Sequence, residues 1–267
     1  MKTVMTIAGS DSSAGAGIQA DLKTFAAFGV YGTSVITAIT AQNTQGIARV
    51  EAISPEMVAA QIDAVVSDIG ADVVKTGMLG SAAVIDVVAS KLREHNLTQL
   101  VLDPVLAASD GSALLEEGGV ALLRERLLPL ALIVTPNVDE AGALVGRRLD
   151  GPEDVRRAAQ EIIDMGARNV VITGGHAKGP AVDLFYDGQQ YHEFAAARVD
   201  TTNTHGTGCT FAAAIAASLA KGSAPRQAVA MAKAYVTKAM QMSFPLGHGR
   251  GPVHHFFRYW QDIEGSH

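Results

Sequence analysis

Two glycine-rich stretches hold the residues best placed to do chemistry. The later one, Asn203 to Thr210, reads N-T-H-G-T-G-C-T and runs into Phe211–Ala220, which is apolar and rich in alanine. Alanine is the best helix former, so the turn is expected to open a buried helix. Gly206 and Gly208 let the backbone approach an anion, Thr207 stands between them, and the first free N–H groups of the helix point the same way. That arrangement suits a phosphoryl group. Cys209, the only cysteine of the chain, stands where turn becomes helix. A helix amino terminus is expected to lower the pKa of such a thiol. Taken alone, the stretch is equally the start of any alanine-rich core helix.

The earlier stretch, Gly9-Ser10-Asp11-Ser12-Ser13-Ala14-Gly15-Ala16-Gly17, links an apolar run at Val4–Ala8 to a helix expected over Ile18–Phe28 and closed by Gly29. Its glycine spacing is wrong for a dinucleotide fingerprint. The next strand, Gly32–Thr40, leads into Ala41-Gln42-Asn43-Thr44-Gln45-Gly46, without the acid that a dinucleotide fold places there. Asp21, one turn inside the first helix, reads as an acid near the positive end of a helix.

The elements that must hold these residues follow from the rest of the chain. Its 267 residues are 48% hydrophobic and 5% aromatic, enough for a sizeable aliphatic core. A net charge of −6 argues against a nucleic-acid binder. No apolar run approaches a membrane span, and the start shows no signal segment, so a cytoplasmic enzyme of small-molecule metabolism is expected. One cysteine excludes an intrachain disulfide.

Short apolar runs alternate with longer amphipathic ones, which predicts βαβ units, a parallel sheet and helices on both faces, in a single domain over residues 1–267. Ser54-Pro55-Glu56 is a helix start, with Val58, Ile62, Val65, Val66 and Ile69 as its apolar stripe. Strands are expected at Asp72–Thr76, Leu97–Leu102, Leu130–Val134 and Asn169–Ile172, and helices at Ala82–Leu92, Val120–Leu128 and Pro152–Met165. Val182–Tyr186 and Gln190–Phe194 read as an edge hairpin closed by a type I′ turn at Asp187-Gly188. In the last helix, Pro225–Met242, Lys233 and Lys238 read as solvated. The tail with His248, His254 and His255 reads as a surface segment, with Phe256, Phe257 and Trp260 docked on the body. Ligands of open α/β sheets bind beyond the carboxyl ends of the strands, where Lys75-Thr76-Gly77-Met78-Leu79, Asp103-Pro104-Val105, Thr135-Pro136-Asn137 with Glu140, and Thr173-Gly174-Gly175-His176 gather.

Taken in order with Thr6–Ser12, Gly15–Thr24, Ala41–Thr44 and Gly206–Cys209, these segments closely resemble the hydroxymethylpyrimidine/phosphomethylpyrimidine kinases of thiamine biosynthesis, in the ribokinase-like superfamily. The resemblance runs from residue 4 to about residue 240. It implies a three-layer α/β sandwich with a mainly parallel central sheet and two successive ATP-dependent phosphorylations. The first acts on the hydroxymethyl group of 4-amino-5-hydroxymethyl-2-methylpyrimidine, the second on the resulting monophosphate. It also implies magnesium and a homodimer. Cys209 would occupy the position of the catalytic aspartate of the superfamily's sugar kinases, with Gly206, Thr207 and Gly208 around the transferring phosphoryl. Gln42 would meet the aminopyrimidine edge, since a carboxamide pairs one donor with one acceptor. Gly9, Asp21, Met78 and Val105 would surround it. Asn137 and Glu140 would serve magnesium and the phosphates, Glu140 through bound water, with Asp103 beside them. Thr173 stands where the family often has a lysine, and Ser109-Asp110-Gly111 also departs from the family pattern. Two rivals share the fold: a pyridoxal kinase, against which Ala41–Thr44 argues, and a non-catalytic pyrimidine-binding protein, against which Cys209 and Glu140 argue.

Overall fold

The computed structural model describes residues 1–107, 114–116, 118–174 and 181–260. Among these, the strands are β1 (Thr3–Asp11), β2 (Tyr31–Asn43), β3 (Gly46–Ala52), β4 (Val73–Thr76), β5 (Leu100–Leu102), β6 (Ala131–Val134), β7 (Val170–Ile172), β8 (Ala181–Tyr186) and β9 (Tyr191–Ala196). The helices are α1 (Gly17–Ala27), α2 (Pro55–Asp68), α3 (Ala82–Glu94), α4 (Gly119–Leu122), α5 (Val138–Val145), α6 (Pro152–Asp164), α7 (Thr207–Ala220) and α8 (Pro225–Gln241).

The strands form one sheet in the order β3-β2-β1-β4-β5-β6-β7-β8-β9. Neighbours from β2 to β7 run parallel, and antiparallel strands close both edges. Successive strand residues face opposite sides, so the sheet feeds two cores. Met5, Val74, Leu100 and Leu102 pack with α2, α3, α5 and α6. Val4, Val73, Val101 and Ile133 pack with α1, α7 and α8. Burial on both faces explains why the parallel strands read as continuous apolar runs rather than alternating ones. The run Ala212–Ala217 in α7 is fully buried between sheet and α8. Its small side chains let those layers approach closely.

Strand β1 sits at the switch point: the chain crosses one face through α1 from β1 to β2, and returns from β3 over the other face through α2 to β4, on the opposite side of β1. The crevice beyond the carboxyl ends of β1 and β4 is therefore where a ligand belongs. The cap expected on α2 is present, Ser54 Oγ accepting the Met57 amide at 3.3 Å.

Four expectations are corrected. The strand expected over Gly32–Thr40 runs longer: β2 continues to Asn43 and turns into β3, giving Gln42 a strand partner in Ile47. The edge hairpin stands, but Tyr186 pairs with Tyr191, so its loop has four residues, with the Asp187 carboxylate accepting the amides of Gln189 and Gln190. The helix before Pro129 is only one α turn, followed by a π turn at Leu123–Leu127 and a 3-10 turn holding the proline. Lys233 is not solvated. Its ammonium pairs with Asp183 at 2.8 Å, both largely buried, and Asp183 also accepts the Gly174 amide. Among the described residues no helix is long and apolar enough to cross a membrane.

Candidate active site

The Gly9–Gly17 loop is organised by one carboxylate. Asp11 accepts the amides of Ser13, Gly15 and Ala16 and the Ser13 hydroxyl, at 2.7–3.1 Å. It also meets His205 Nε2 at 2.8 Å. Burial works to raise its pKa, but the hydrogen bonds from His205, Ser13 and Ala16 outweigh it and hold the carboxyl at about 2. Gly9 lies where β1 slips its register against β2, and a side chain there would run into Met78. Gly206 is left-handed, φ +77°, and a Cβ on it would strike the Gly15 carbonyl. The two glycine-rich stretches are thus one packed unit, latched by Asp11 and His205 across 194 residues of sequence. Neither residue was singled out from sequence, because nothing in their spacing shows that they meet.

The head of α7 opens from this unit. Gly208 is exposed, and a Cβ built on it meets nothing within 4 Å. Gly208 and Cys209 lie in the first turn of α7, where amides have no intrahelical acceptor, and can serve an anion. The Thr207 hydroxyl is not free: it donates to the Thr204 carbonyl at 2.7 Å and stiffens the turn. Cys209 is partly exposed and receives the Gly17 amide. Its thiol departs from expectation. Burial, reinforced by the Asp103 and Asp21 charges, pushes it up to about 12, against the pull of Lys75 and the Gly17 amide. The helix terminus does not override desolvation here.

Behind Cys209 lies a buried ionic group centred on Lys75 of β4, which sequence reading passed over. Its ammonium has no solvent exposure and stands 3.0 Å from Asp21 and 3.8 Å from Asp103. Gly77, two residues along the same strand line, leaves room for it: a Cβ there would sit 2.9 Å from Lys75 Nζ. Burial opposes the charge on Lys75, but Asp21, Cys209 and Asp103 outweigh that and raise its pKa. Asp21 also accepts the Thr6 hydroxyl at 2.6 Å, and burial raises its pKa despite both partners. Asp21, expected to line the substrate pocket, is fully buried instead. It reaches the site through Lys75 and through its charge on Cys209 and Asp103.

The remaining candidates line the ends of neighbouring strands. Gln42 is half-buried. Its Oε1 accepts from Thr40 at 3.1 Å, and its Nε2 lies 3.4 Å from His205 Nε2. His205 Nε2 cannot serve as an acceptor there while it donates to Asp11, so the Gln42 amide keeps its donors for a ligand. Met78 is half-buried against Gly9, and its carbonyl accepts from Thr37 at 2.7 Å. Val105 is half-buried beside Asp103. Asn137 and Glu140 form a reciprocal capping box on α5, each bond 2.9 Å. Burial and the neighbouring Asp103 charge push Glu140 up to about 8, and burial with Asp21 pushes Asp103 up to about 6. Asp103 Oδ2 is buried without a hydrogen-bond partner. Thr173 bridges to Asn137. Gly175, His176 and Ser109-Asp110-Gly111 lie outside the described residues.

A glycine-lined anion cradle with a thiol at its head, a carboxamide on one side and two close carboxylates on the other is a phosphoryl-transfer arrangement. The family model for phosphomethylpyrimidine kinase matches residues 11–254. The chain belongs to the phosphomethylpyrimidine kinase family. Among its relatives in that family, a hydroxymethylpyrimidine/phosphomethylpyrimidine kinase of Rhizobium meliloti is 53% identical over 97% of this chain and 98% of its own. A bifunctional thiamine biosynthesis protein of Geobacter sulfurreducens is 52% identical over 95% of this chain, which spans only 52% of that longer relative. An ADP complex of Bacillus subtilis pyridoxal kinase superposes with a TM-score of 0.90 at 42% identity, covering 96% of this chain and 97% of its own. The ribokinase-like three-layer sandwich and kinase membership expected from sequence both stand.

Proposed function

We propose that the protein is the thiamine-pathway kinase that phosphorylates 4-amino-5-hydroxymethyl-2-methylpyrimidine and then its monophosphate, with ATP as donor. One observation carries the reading: the Gln42 carboxamide stands with uncommitted donors beside His205, one residue from the glycine turn that opens α7. A ring held by its amino edge at Gln42 thereby presents its hydroxymethyl group toward the cradle. The acceptor oxygen bonds to the γ-phosphorus as the bond to ADP breaks. The Gly208 and Cys209 amides hold the transferring oxygens, which is most of what this chemistry asks of a protein. In its minor thiolate form, Cys209 takes the acceptor's proton late in the first step and becomes the neutral thiol. In the second step it enters as a neutral thiol and does not repel the anionic acceptor.

The carboxylate pair fits magnesium. Asp103 Oδ2 has no hydrogen-bond partner and only a 3.8 Å ion pair with Lys75, and burial beside the Asp103 charge pushes Glu140 up to about 8; a hard dication relieves both. Glu140, through bound water, and Asp103 would hold it, and when bound it neutralises phosphate charge. The family resemblance further supports a homodimer. Sedimentation velocity at micromolar concentration should give one species near twice 27.8 kDa.

Gln42→Met tests the substrate assignment. Removing both hydrogen bonds to the ring costs about 2–3 kcal/mol, so kcat/KM for the pyrimidine should fall roughly 30–150-fold. Turnover of pyridoxal, which lacks the aminopyrimidine edge, should change much less. Equal losses for both alcohols would show that Gln42 supports the end of β2 rather than reads the ring.

A further inference from the structure

The segment Gly247–Pro252 has no role in the reading above, yet it touches both halves of the site. Thr44 lies two residues beyond Gln42. Its hydroxyl accepts the amides of His248 at 3.2 Å and Gly249 at 3.1 Å, and its carbonyl accepts the Arg250 amide at 2.8 Å. Three consecutive backbone donors thus close on one residue. The next residue turns to the other half: the Gly251 carbonyl accepts the His205 amide at 3.0 Å, and Pro252 pairs with His205 as a parallel bridge.

The glycines of this segment are places of close approach. A Cβ at Gly249 would strike the Thr44 carbonyl, and one at Gly251 would strike the Asn203 side chain. Beyond Pro252 the chain is anchored in the body. His255 is buried, with Nε2 3.0 Å from Thr210 Oγ1 and its carbonyl accepting the Tyr235 hydroxyl at 2.6 Å. The tail is therefore not a surface segment beyond Pro252, although Trp260 stays 46% exposed.

We propose that Gly247–Pro252 is a strap that sets the separation of Gln42 from the anion cradle, with Thr44 as the positioning residue on which it closes. The ring is held at the end of β2, near residue 42, and the phosphoryl by a turn near residue 206. The direct side-chain contact between them, Gln42 to His205, is long at 3.4 Å. In-line transfer tolerates little error in that separation. Residues 247–250 are exposed, so their hydrogen bonds add little to global stability. They act on register.

The inference rests on the pyrimidine reading for its kinetic arm, and its exchange arm is independent of substrate. Thr44→Val keeps the shape and removes the hydroxyl acceptor; Thr44→Ser restores it. In Thr44→Val the KM for the pyrimidine should rise about tenfold, with the KM for ATP and the melting temperature close to wild type, and Thr44→Ser should recover the wild-type value. By hydrogen exchange, Thr44→Val should speed exchange several-fold both at residues 42–46 and at the His205 amide, which it does not touch. Gly249→Ala, which presses on the Thr44 carbonyl, should do the same if Thr44→Val folds poorly. Exchange changes confined to 42–46 and 247–250 would overturn the strap. So would an unchanged pyrimidine KM, or a joint loss of both KM values and stability without rescue by serine. If the wild type fails to phosphorylate the pyrimidine, the pyrimidine reading falls, and exchange at His205 alone decides the strap.

Discussion

Lys75→Met is expected to destabilise the protein by about 3–5 kcal/mol, because it leaves buried carboxylates without their counter-charge. Thermal unfolding should move down by about 10 °C, at roughly 2–4 °C per kcal/mol for a chain of this size. The physical reason lies in the geometry. Asp21 and Lys75 have no solvent exposure, and Asp21 Oδ1 and Asp103 Oδ2 already lack hydrogen-bond partners. Without the ammonium, neither carboxylate can stay ionised at tolerable cost.

The pH dependence has a definite sign. Burial raises the folded pKa of both Asp21 and Asp103, and removing Lys75 raises them further. A group with a raised folded pKa contributes stability that is complete below its unfolded pKa, near 3.8, and lost as pH rises through the folded value. The deficit of Lys75→Met should therefore shrink from pH 8 to pH 5. Adding Asp21→Asn should recover part of it at pH 8. A deficit equal at both pH values would show that methionine fails by shape and not by charge.

Cys209→Ala should lower kcat for the first phosphorylation by about 10²–10⁴, the range for loss of a positioned proton acceptor, with the pyrimidine KM nearly unchanged because Gln42 is intact. A thiol pushed up to about 12 is a minor but strong base at neutral pH. The wild-type first-step kcat should climb as pH rises from 7 to 9.5, and that climb should vanish in Cys209→Ala. The second acceptor is already an anion, so its step should lose less. Cys209→Asp should do the opposite, sustaining the first step and slowing the second by placing a fixed negative charge beside the monophosphate. Equal losses in both steps for Cys209→Ala, with a flat pH profile in the wild type, would reduce the cysteine to a packing role.

Some of this site could be read from the chain and some could not, for physical reasons. The glycine turn before α7 announces itself by composition, since positive φ and close backbone approach leave few alternatives to glycine at Gly206. Strand ends mark themselves by polar residues after apolar runs, which makes Gln42, Asp103, Asn137 and Thr173 stand out, while the roles proposed for them come from the family resemblance. What escapes is any role created by contacts between distant residues. Lys75 sits inside an apolar strand and becomes an ionic centre only because α1 brings Asp21 against it. Asp11 and His205 are ordinary loop residues until the fold closes 194 positions between them. Lys233 looked solvated because its partner lies on an edge hairpin. Strand β3 was missed because its exposed edge residues lack an apolar pattern. The thiol was misjudged because helix polarity is visible in sequence and desolvation is not.

The central claim is that one site carries two successive phosphorylations of an aminopyrimidine alcohol. The direct measurement is product mass after the protein is incubated with ATP, magnesium and 4-amino-5-hydroxymethyl-2-methylpyrimidine, with a parallel reaction on pyridoxal. The account predicts monophosphate appearing first and diphosphate replacing it from the pyrimidine. Pyridoxal phosphate as the sole product, with the pyrimidine recovered unchanged, would contradict the substrate assignment and leave only the fold and the phosphoryl cradle standing.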